Sequence, residues 1–317
     1  MRVLVTGGTG MVGRCINDIV NNEYNNKNFT FIGSKDCDLT DRKEVLKYFN
    51  NNKFDYIIHL AANVGGLYKN MNDGINMFSD NIKINENILE ACYKYDIRKG
   101  IFCLSSCIYP KSPSKFPMDE SMIHESPPHM SNEGYAYSKR MLELQCRQYN
   151  ETYGTNYICL IPVNLYGPYD NFNIEDGHFI PSLMHRWYSN KLKCDVHIEN
   201  YVIYGSGKPL RQFIYAPDFA RLILMVLLGG EYLDNKPMIC SNDEVDIKTM
   251  ALNVAEVMNI NNDDIILDTN KSDGCMRKTV SNMKLQHYYP NFKFTEHKTG
   301  LKETYKWFID NYDTLRK

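Results

Sequence analysis

The stretch "RVLVTGGTGMVGRCINDIV", Arg2 to Val20, decides the fold. A short β-branched run gives way to a glycine-rich turn, and the turn opens directly into a segment of helical length and spacing. Gly7, Gly10 and Gly13 make a G-x-x-G-x-x-G pattern. Glycines so placed let backbone N–H groups close on a pyrophosphate at a helix N-terminus and let that helix pack tightly on its strand. The spacing alone is a weak signal, and its strand–turn–helix setting makes it a strong one. A tight turn with no ligand is the lesser alternative.

Working outward, the same alternation continues. "FTFIG", "YIIHLAA", "GIFCLSS" and "YICLIPV" are short, apolar and closed by Gly, Ser or Pro, as strands are, while "RKEVLKYF", "NIKINENILEACYKY" and "SKRMLELQCRQYNETY" have helical length. Strands alternating with helices imply an α/β fold with a doubly wound parallel sheet covered on both faces. Beyond Val163 the regularity fades into "NLYGPYDNFNIEDGHFIP", punctuated by Gly167, Pro168, Gly177 and Pro181. A nucleotide-binding domain is therefore expected over residues 1–165 and a smaller α/β lobe, mainly substrate-binding, over 166–317, with the segment around 210–228 returning to the first domain. Helices persist in that lobe: "DIKTMALNVAEVMN" places Ile247, Met250, Ala251, Val254, Val257 and Met258 on one face, and Leu301, Tyr305, Phe308, Ile309 and Tyr312 repeat the spacing.

A net charge of -2 gives no basic surplus for phosphate backbones or anionic lipid, so neither nucleic acid nor membrane is an expected partner. The longest apolar run, Leu222 to Leu228, is far short of the roughly 20 residues needed to cross a bilayer. "MRVLVTGG" runs straight into the glycine turn without room for a signal peptide, and a cytoplasmic protein is expected. The ten cysteines are scattered through apparent core segments with no C-x-x-C pair, which fits free buried thiols. No histidine pair has metal-ligand spacing, and no metal is expected.

The end of the second strand bears on which dinucleotide would bind. An NAD site places Asp or Glu there for the ribose 2′-hydroxyl; "GSKD" offers Ser34 and Lys35 instead, which suit a 2′-phosphate and favour NADP. A one-residue slip would bring Asp36 to the same spot, which keeps NAD open. Further on, "YAYSK" sets Tyr135 and Lys139 one helical turn apart, so that the ammonium can acidify the phenol for proton transfer. With Ser105 closing "GIFCLS", these elements resemble the extended short-chain dehydrogenase/reductase family over essentially the whole chain. The resemblance implies a Rossmann-like domain, Ser105 and Tyr135 polarising a carbonyl, and Lys139 also holding the nicotinamide ribose.

The stretch "LSSCIYP", Leu104 to Pro110, places Cys107 two residues beyond that serine. A ketone acidifies the adjacent carbons, and inverting such a centre needs a base on one face and an acid on the other. Cys107 would be the base if a cation lowers its thiol pKa, with His178 of "EDGHFIP" as the opposing acid. A buried thiol and a structural loop histidine are the plain alternatives from composition. "SSCIYP", "NLYGPYDNFNIEDGHFIP", "RQFIY" and "KSDG" are similar to the branch of the family that acts on GDP-4-keto-6-deoxymannose. That likeness implies inversion at C-3 and C-5 by Cys107 and His178, then NADPH-dependent reduction at C-4 to GDP-L-fucose, in a homodimer. It carries cofactor contacts onto Gly7, Gly8, Thr9, Gly10, Met11, Val12 and Gly13, onto Lys35, onto Cys103, Leu104, Ser105 and Ser106, onto Lys139, onto Pro162, Val163, Asn164 and Leu165, and onto His178. Substrate contacts fall on Arg186, Tyr204, Arg211 and Asp273, the arginines suiting a diphosphate and the carboxylate suiting sugar hydroxyls. Two positions depart from the branch: Tyr204 stands where Trp is usual, and Val163 where Thr is common. Other readings are a nucleotide-sugar 4-epimerase or 4,6-dehydratase that recycles its cofactor, and a silent relative with a redox-sensing or scaffold role.

Overall fold

The computed structural model describes residues 1–24, 28–192, 201–229 and 234–315. Strand β1 (Val3–Thr6) is wholly buried and leads through the glycine turn into α1 (Met11–Glu23). There follow β2 (Phe29–Ile32), α2 (Arg42–Asn51), β3 (Tyr56–His59), α3 (Leu67–Asn72), α4 (Gly74–Lys94), β4 (Lys99–Cys103), α5 (Glu133–Tyr153) and β5 (Asn156–Pro162). Helix α2 starts where Asp41 accepts hydrogen bonds from the N–H groups of Lys43 and Glu44, satisfying two of the donors a helix start leaves open. Helix α4 begins at Gly74, earlier than its apolar spacing suggests, because its polar first turns lie beside the loop after β3: the Asn81 side chain bonds both the N–H and the C=O of Asn63.

The remaining elements are β6 (Asn164–Tyr166), α6 (Phe179–Leu192), β7 (Tyr201–Tyr204), β8 (Leu210–Arg211), β9 (Phe213–Tyr215), α7 (Ala216–Gly229), β10 (Met238–Cys240), β11 (Val245–Asp246), α8 (Ile247–Val257), β12 (Ile265–Asp268), α9 (Met283–Tyr288) and α10 (His297–Asp310). Six strands form one parallel sheet in the order β10-β5-β4-β3-β1-β2. The chain leaves β1 for β2 on one side and returns to β3 on the other. That reversal opens a crevice at the carboxyl ends of β1 and β3, where open α/β sheets bind ligands. Helices α1 and α7 pack on each other, as do α4 and α5, and cover the apolar strands.

One hydrophobic core fills the space between this sheet and its helices and includes Ile223 of α7, Ile239 of β10 and Leu285 of α9. A second core gathers Phe172, Trp187, Ile203, Phe213, Met250, Val254 and Phe308 around α6, α8 and α10. The α8 face expected from its spacing is the buried one, and Asp246 caps the helix by accepting from Thr249 N–H at 2.8 Å. Short pairs β6–β9, β7–β12 and β8–β11 stitch this second region together. Strand β10 and these pairs have no distinctive sequence pattern, being only two to four residues long. Among the described residues no helix is long and apolar enough to cross a membrane, no acidic–thiol–imidazole cluster could hold a metal ion, and the nine cysteines are unpaired.

Candidate active site

The glycine turn is shaped from both sides. Gly7 has φ +68°, and a Cβ there would lie 2.8 Å from Ala61 N and 2.9 Å from the Leu60 carbonyl carbon; on Gly13 it would lie 2.5 Å from Gly7 O and 2.6 Å from Gly8 Cα. Only glycine allows β1, its turn and α1 to approach this closely. Gly10 differs, because an added Cβ would meet only Gly7 O, at 3.2 Å, and otherwise face open space. Gly10 is also the N-cap of α1 and contributes no side-chain cap, which leaves the first N–H groups of the helix for an anion. Thr9 and Gly10 are exposed, Met11 and Val12 half-buried, and Gly8 is anchored by donating its N–H to Ile32 O at 2.8 Å. The cradle thus fits a dinucleotide pyrophosphate.

At the end of β2, Asp36 turns its carboxylate back to accept the Gly33 N–H at 2.8 Å, while Lys35 and Ser34 are exposed. One oxygen of the carboxylate that could answer a ribose hydroxyl is thus held by its own turn. Lys35 is outward with no such engagement, beside an exposed Asp36 that keeps one oxygen free of the turn.

Strand β4 delivers the reacting groups. The Leu104 N–H donates to Leu160 O at 2.8 Å, so the ladder runs one residue past Cys103 before the backbone bends. Ser105 then caps the 3-10 turn Ser106–Ile108, its hydroxyl oxygen accepting the Cys107 N–H at 3.3 Å, and the turn buries Cys107. Helix α5 faces this turn and carries Tyr135, half-buried, and Lys139, buried. The Lys139 ammonium donates to Cys103 O at 2.8 Å and lies 5.8 Å from the Tyr135 ring centroid. Ser105, Cys107, Tyr135 and Lys139 therefore come together where β4 meets α5, and Cys103, Leu104 and Ser106 line the same strand end.

Two expectations about charge are corrected. Burial pushes the Tyr135 phenol well above its usual value, and the neighbouring Cys107 and Cys103 thiols push in the same direction. The Lys139 ammonium, bonded to the Cys103 carbonyl, does not reverse that direction. Burial likewise raises Cys107; the offsetting influences are first Lys278, then the Ser105 hydroxyl and Lys139. The cationic neighbours exist, but desolvation outweighs them. His178 is pushed down by desolvation, so the resting pair is a thiol and a neutral imidazole.

His178 sits at the start of α6, reaching solvent over part of its surface while protein atoms crowd the ring, and its C=O accepts the Ser182 N–H. It lines a recess of about 40 Å³ with Asn164, Leu165, Phe179, Ile180 and Phe213. This is the site end of β5 and β6: Pro162 and Val163 are buried, Val163 N–H donates to Cys240 O, and the Asn164 amide donates to Gln212 O at 2.8 Å. A larger cavity of about 370 Å³ lies at the opposite, amino ends of β4 and β5, between the C-terminal ends of α4 and α5, and holds none of these groups.

The arginines belong to the second region. The half-buried Arg186 donates to Val202 O at 2.8 Å, and its guanidinium lies 4.3 Å from the ring centroid of Tyr204, a ring 53% exposed. Arg211 is half-buried beside its own strand, donating to Leu210 O. Asp273 is engaged by the loop after Tyr204: its two oxygens accept the Ser206 N–H at 2.6 Å and the Ser206 hydroxyl at 2.8 Å. Its main visible work is holding that turn, where Gly205 has φ +88°, rather than presenting a free carboxylate.

Two contributors have no marked sequence signal. Lys278 is half-buried near Cys107, brought there by the segment that hydrogen-bonds along Leu210. Arg140 is buried, donating to Ile108 O at 2.7 Å and Ser126 O at 2.8 Å, which straps α5 to the turn behind Cys107. A basic residue in each stretch was visible, but not what it would face.

Comparison with known proteins accords with this geometry. The family pattern described as "NAD dependent epimerase/dehydratase family" matches residues 3–236. The GDP-L-fucose synthase of Dictyostelium discoideum is 44% identical, covering 99% of this chain and 97% of that protein. The chain belongs to the GDP-L-fucose synthase branch of that family. The probable GDP-L-fucose synthase of Drosophila melanogaster is 41% identical over 100% of this chain and 99% of that protein. Among solved structures, a GDP-L-fucose synthetase from Naegleria fowleri bound to NADP superposes with a TM-score of 0.89 at 38% identity, covering 99% of this chain and 96% of that one. The family's fold thus extends over both core regions.

Proposed function

We propose that the chain is an NADPH-dependent epimerase–reductase that converts GDP-4-keto-6-deoxy-D-mannose to GDP-L-fucose. The carrying observation is the meeting of Ser105, Cys107, Tyr135 and Lys139 at one strand end beside a glycine cradle, in a chain with full-length relatives named for this activity. Lys35, outward where Asp36 is engaged, supports the 2′-phosphate form of the cofactor, and the Naegleria fowleri relative binds NADP. When bound, NADPH supplies the hydride for C-4.

The chain's own residues do the rest. Ser105 and Tyr135 donate hydrogen bonds to the C-4 oxygen, steadying the enolate during inversion and the alkoxide during reduction. Tyr135 then gives its proton to that oxygen. Its raised pKa keeps the proton in place beforehand. Lys139 holds the nicotinamide ribose. Cys107 and His178 flank the sugar as base and acid for C-3 and C-5; the pair rests as thiol and neutral imidazole, and its working form has one proton moved from the thiol to the imidazole, so that the thiolate beside Lys278 takes the carbon's proton and the imidazolium returns one from the other face. Arg186 and Arg211 take the diphosphate, Tyr204 lends its flat face, and Asp273 positions the loop that carries it. Residues 1–165, with the segment around 210–228, form the cofactor domain, and 166–317 mainly the substrate lobe. We also infer a cytoplasmic homodimer with no nucleic-acid or membrane partner, readable from the solution mass and from fractionation.

The test is incubation of the purified protein with GDP-4-keto-6-deoxymannose in deuterated water. With NADPH, GDP-L-fucose forms and one NADPH disappears per product. Without it, deuterium enters C-3 and C-5. Product formation with no net loss of NADPH would point instead to a cofactor-recycling epimerase or dehydratase.

A further inference from the structure

At the reversal point of the sheet, three polar side chains are buried outside the groups assigned above. Thr6 ends β1 and His59 ends β3, side by side in register, and both are fully buried; Asn85 of α4 is 1% exposed. Buried polar groups are costly unless paired, and these form one chain. The Thr6 hydroxyl and His59 Nδ1 are 2.7 Å apart, and His59 Nε2 and Asn85 Oδ1 are 3.2 Å apart. An amide oxygen only accepts, so Nε2 carries the proton and donates; Nδ1 is then bare and accepts from Thr6. The Thr6 oxygen accepts the Ala61 N–H at 3.4 Å, and the Asn85 amide donates to Ser138 O at 3.5 Å. Every bond runs in one direction.

The two ends of this chain are informative. Ala61 and Leu60 are the backbone on which Gly7 of the cradle rests. Ser138 lies next to Lys139, and its hydroxyl donates to Tyr135 O at 2.8 Å. The imidazole is packed edge-on to Phe102, with centroids 5.8 Å apart, so the link is rigid. We propose that His59 is a positioning residue for the reduction, fixing the cofactor cradle relative to the helix that carries Tyr135 and Lys139. Desolvation, then the charge of Lys139, hold the imidazole neutral down to about pH 3. The acceptor nitrogen that Thr6 needs is therefore present throughout the working range.

The proposal deepens the functional reading and rests on it. A parent protein that consumes no NADPH with GDP-4-keto-6-deoxymannose overturns both; the ratio of variant to parent tests this one alone. His59→Phe should lower kcat for reduction at least fivefold, while KM for the sugar nucleotide and Kd for NADPH, read by fluorescence, stay within threefold. Misplacement of about 1 Å can cost about a hundredfold in rate. His59→Gln, whose amide supplies one acceptor and one donor, should recover most of that loss. The triple variant Thr6→Val, His59→Phe, Asn85→Leu removes the three side-chain polar groups together and gives up only the two long bonds to the Ala61 N–H and Ser138 O, so it is the milder test of folding; it should still be at least fivefold slow. A loss under fivefold in a folded His59→Phe protein, a loss in KM or Kd instead of kcat, or a triple variant as fast as the parent would overturn the proposal. Should His59→Phe fail to fold, the triple variant decides.

Discussion

Gly10→Ala separates the two things the glycine turn does, holding the fold and holding a ligand. Gly10 has φ -81° and ψ 175°, a conformation open to alanine, and the new methyl would touch only Gly7 O at 3.2 Å, which a shift of a few tenths of an ångström relieves. Losing glycine at an N-cap costs under about 1 kcal/mol, so the melting temperature should fall by about 4 °C or less for a chain of this size. The methyl nevertheless occupies the open face that a pyrophosphate must cross to reach the first N–H groups of α1. NADPH affinity should drop at least about tenfold, or about 1.4 kcal/mol. Gly13→Ala makes the contrast. Its Cβ would lie 2.5 Å from Gly7 O, about 0.9 Å short of the 3.4 Å of ordinary contact, against backbone that has nowhere to go. Overpacking of that kind costs about 1–3 kcal/mol of stability, so Gly13→Ala should lose both thermal stability and cofactor. Fluorescence titration with NADPH and thermal melts of both proteins read the two quantities. Gly10→Ala binding NADPH within twofold of the parent would refute the path assigned to the pyrophosphate.

Tyr135→Phe should lower reduction about 10²–10⁴-fold and spare C-3 deuterium exchange to a greater degree; single-turnover NADPH oxidation within a few-fold of the parent would exclude it as the proton donor. Because burial raises the Cys107 thiol, C-3 exchange should climb with pH through and beyond the ordinary thiol range, as the ionised fraction grows. Lys278→Met removes the largest influence opposing that shift, so the limb should move to still higher pH and the rate at pH 8 should fall; an unchanged profile would remove Lys278 from the site. Lys35→Ala should weaken NADPH about tenfold and leave NADH unchanged, since a single phosphate contact of this kind is worth about 1.5–3 kcal/mol at most. Equal losses for both dinucleotides would show that Lys35 does not read the 2′-phosphate.

The doubly wound sheet was legible because its signals are local. Each of the first five strands is a short, mainly apolar run, and each intervening helix shows its own periodicity, so order in the chain nearly dictates order in space. Strand β10 is different. Met238–Cys240 is three residues long and joins the sheet through β5, a placement set by tertiary pairing that no local pattern encodes. The short pairs of the second region share that property. There, what the sequence displays is the apolar faces of α8 and α10, and the strands follow from how those faces close over Trp187 and Phe308.

The site divides along the same line. Ser105, Cys107, Tyr135 and Lys139 fall in two short motifs whose spacing carries their relative placement. Lys278, Arg140 and His59 act through neighbours remote in the chain, and a lone basic or imidazole residue announces nothing. The direction of the Cys107 pKa shows why this matters for chemistry. A sequence can suggest that a cation stands near a thiol, but the outcome depends on the balance between that charge and the number of atoms excluding water, and both are set by packing. Here the turn Ser106–Ile108 is strapped down by Arg140 and the thiol is left 7% exposed, so desolvation prevails over Lys278 and Lys139. The same strap that aims the sulfur also protects its proton. Loosening it by Arg140→Met should expose the thiol, lower its pKa toward the ordinary value as measured by the pH dependence of alkylation, and yet slow C-3 exchange, because an easier ionisation would come at the loss of aim.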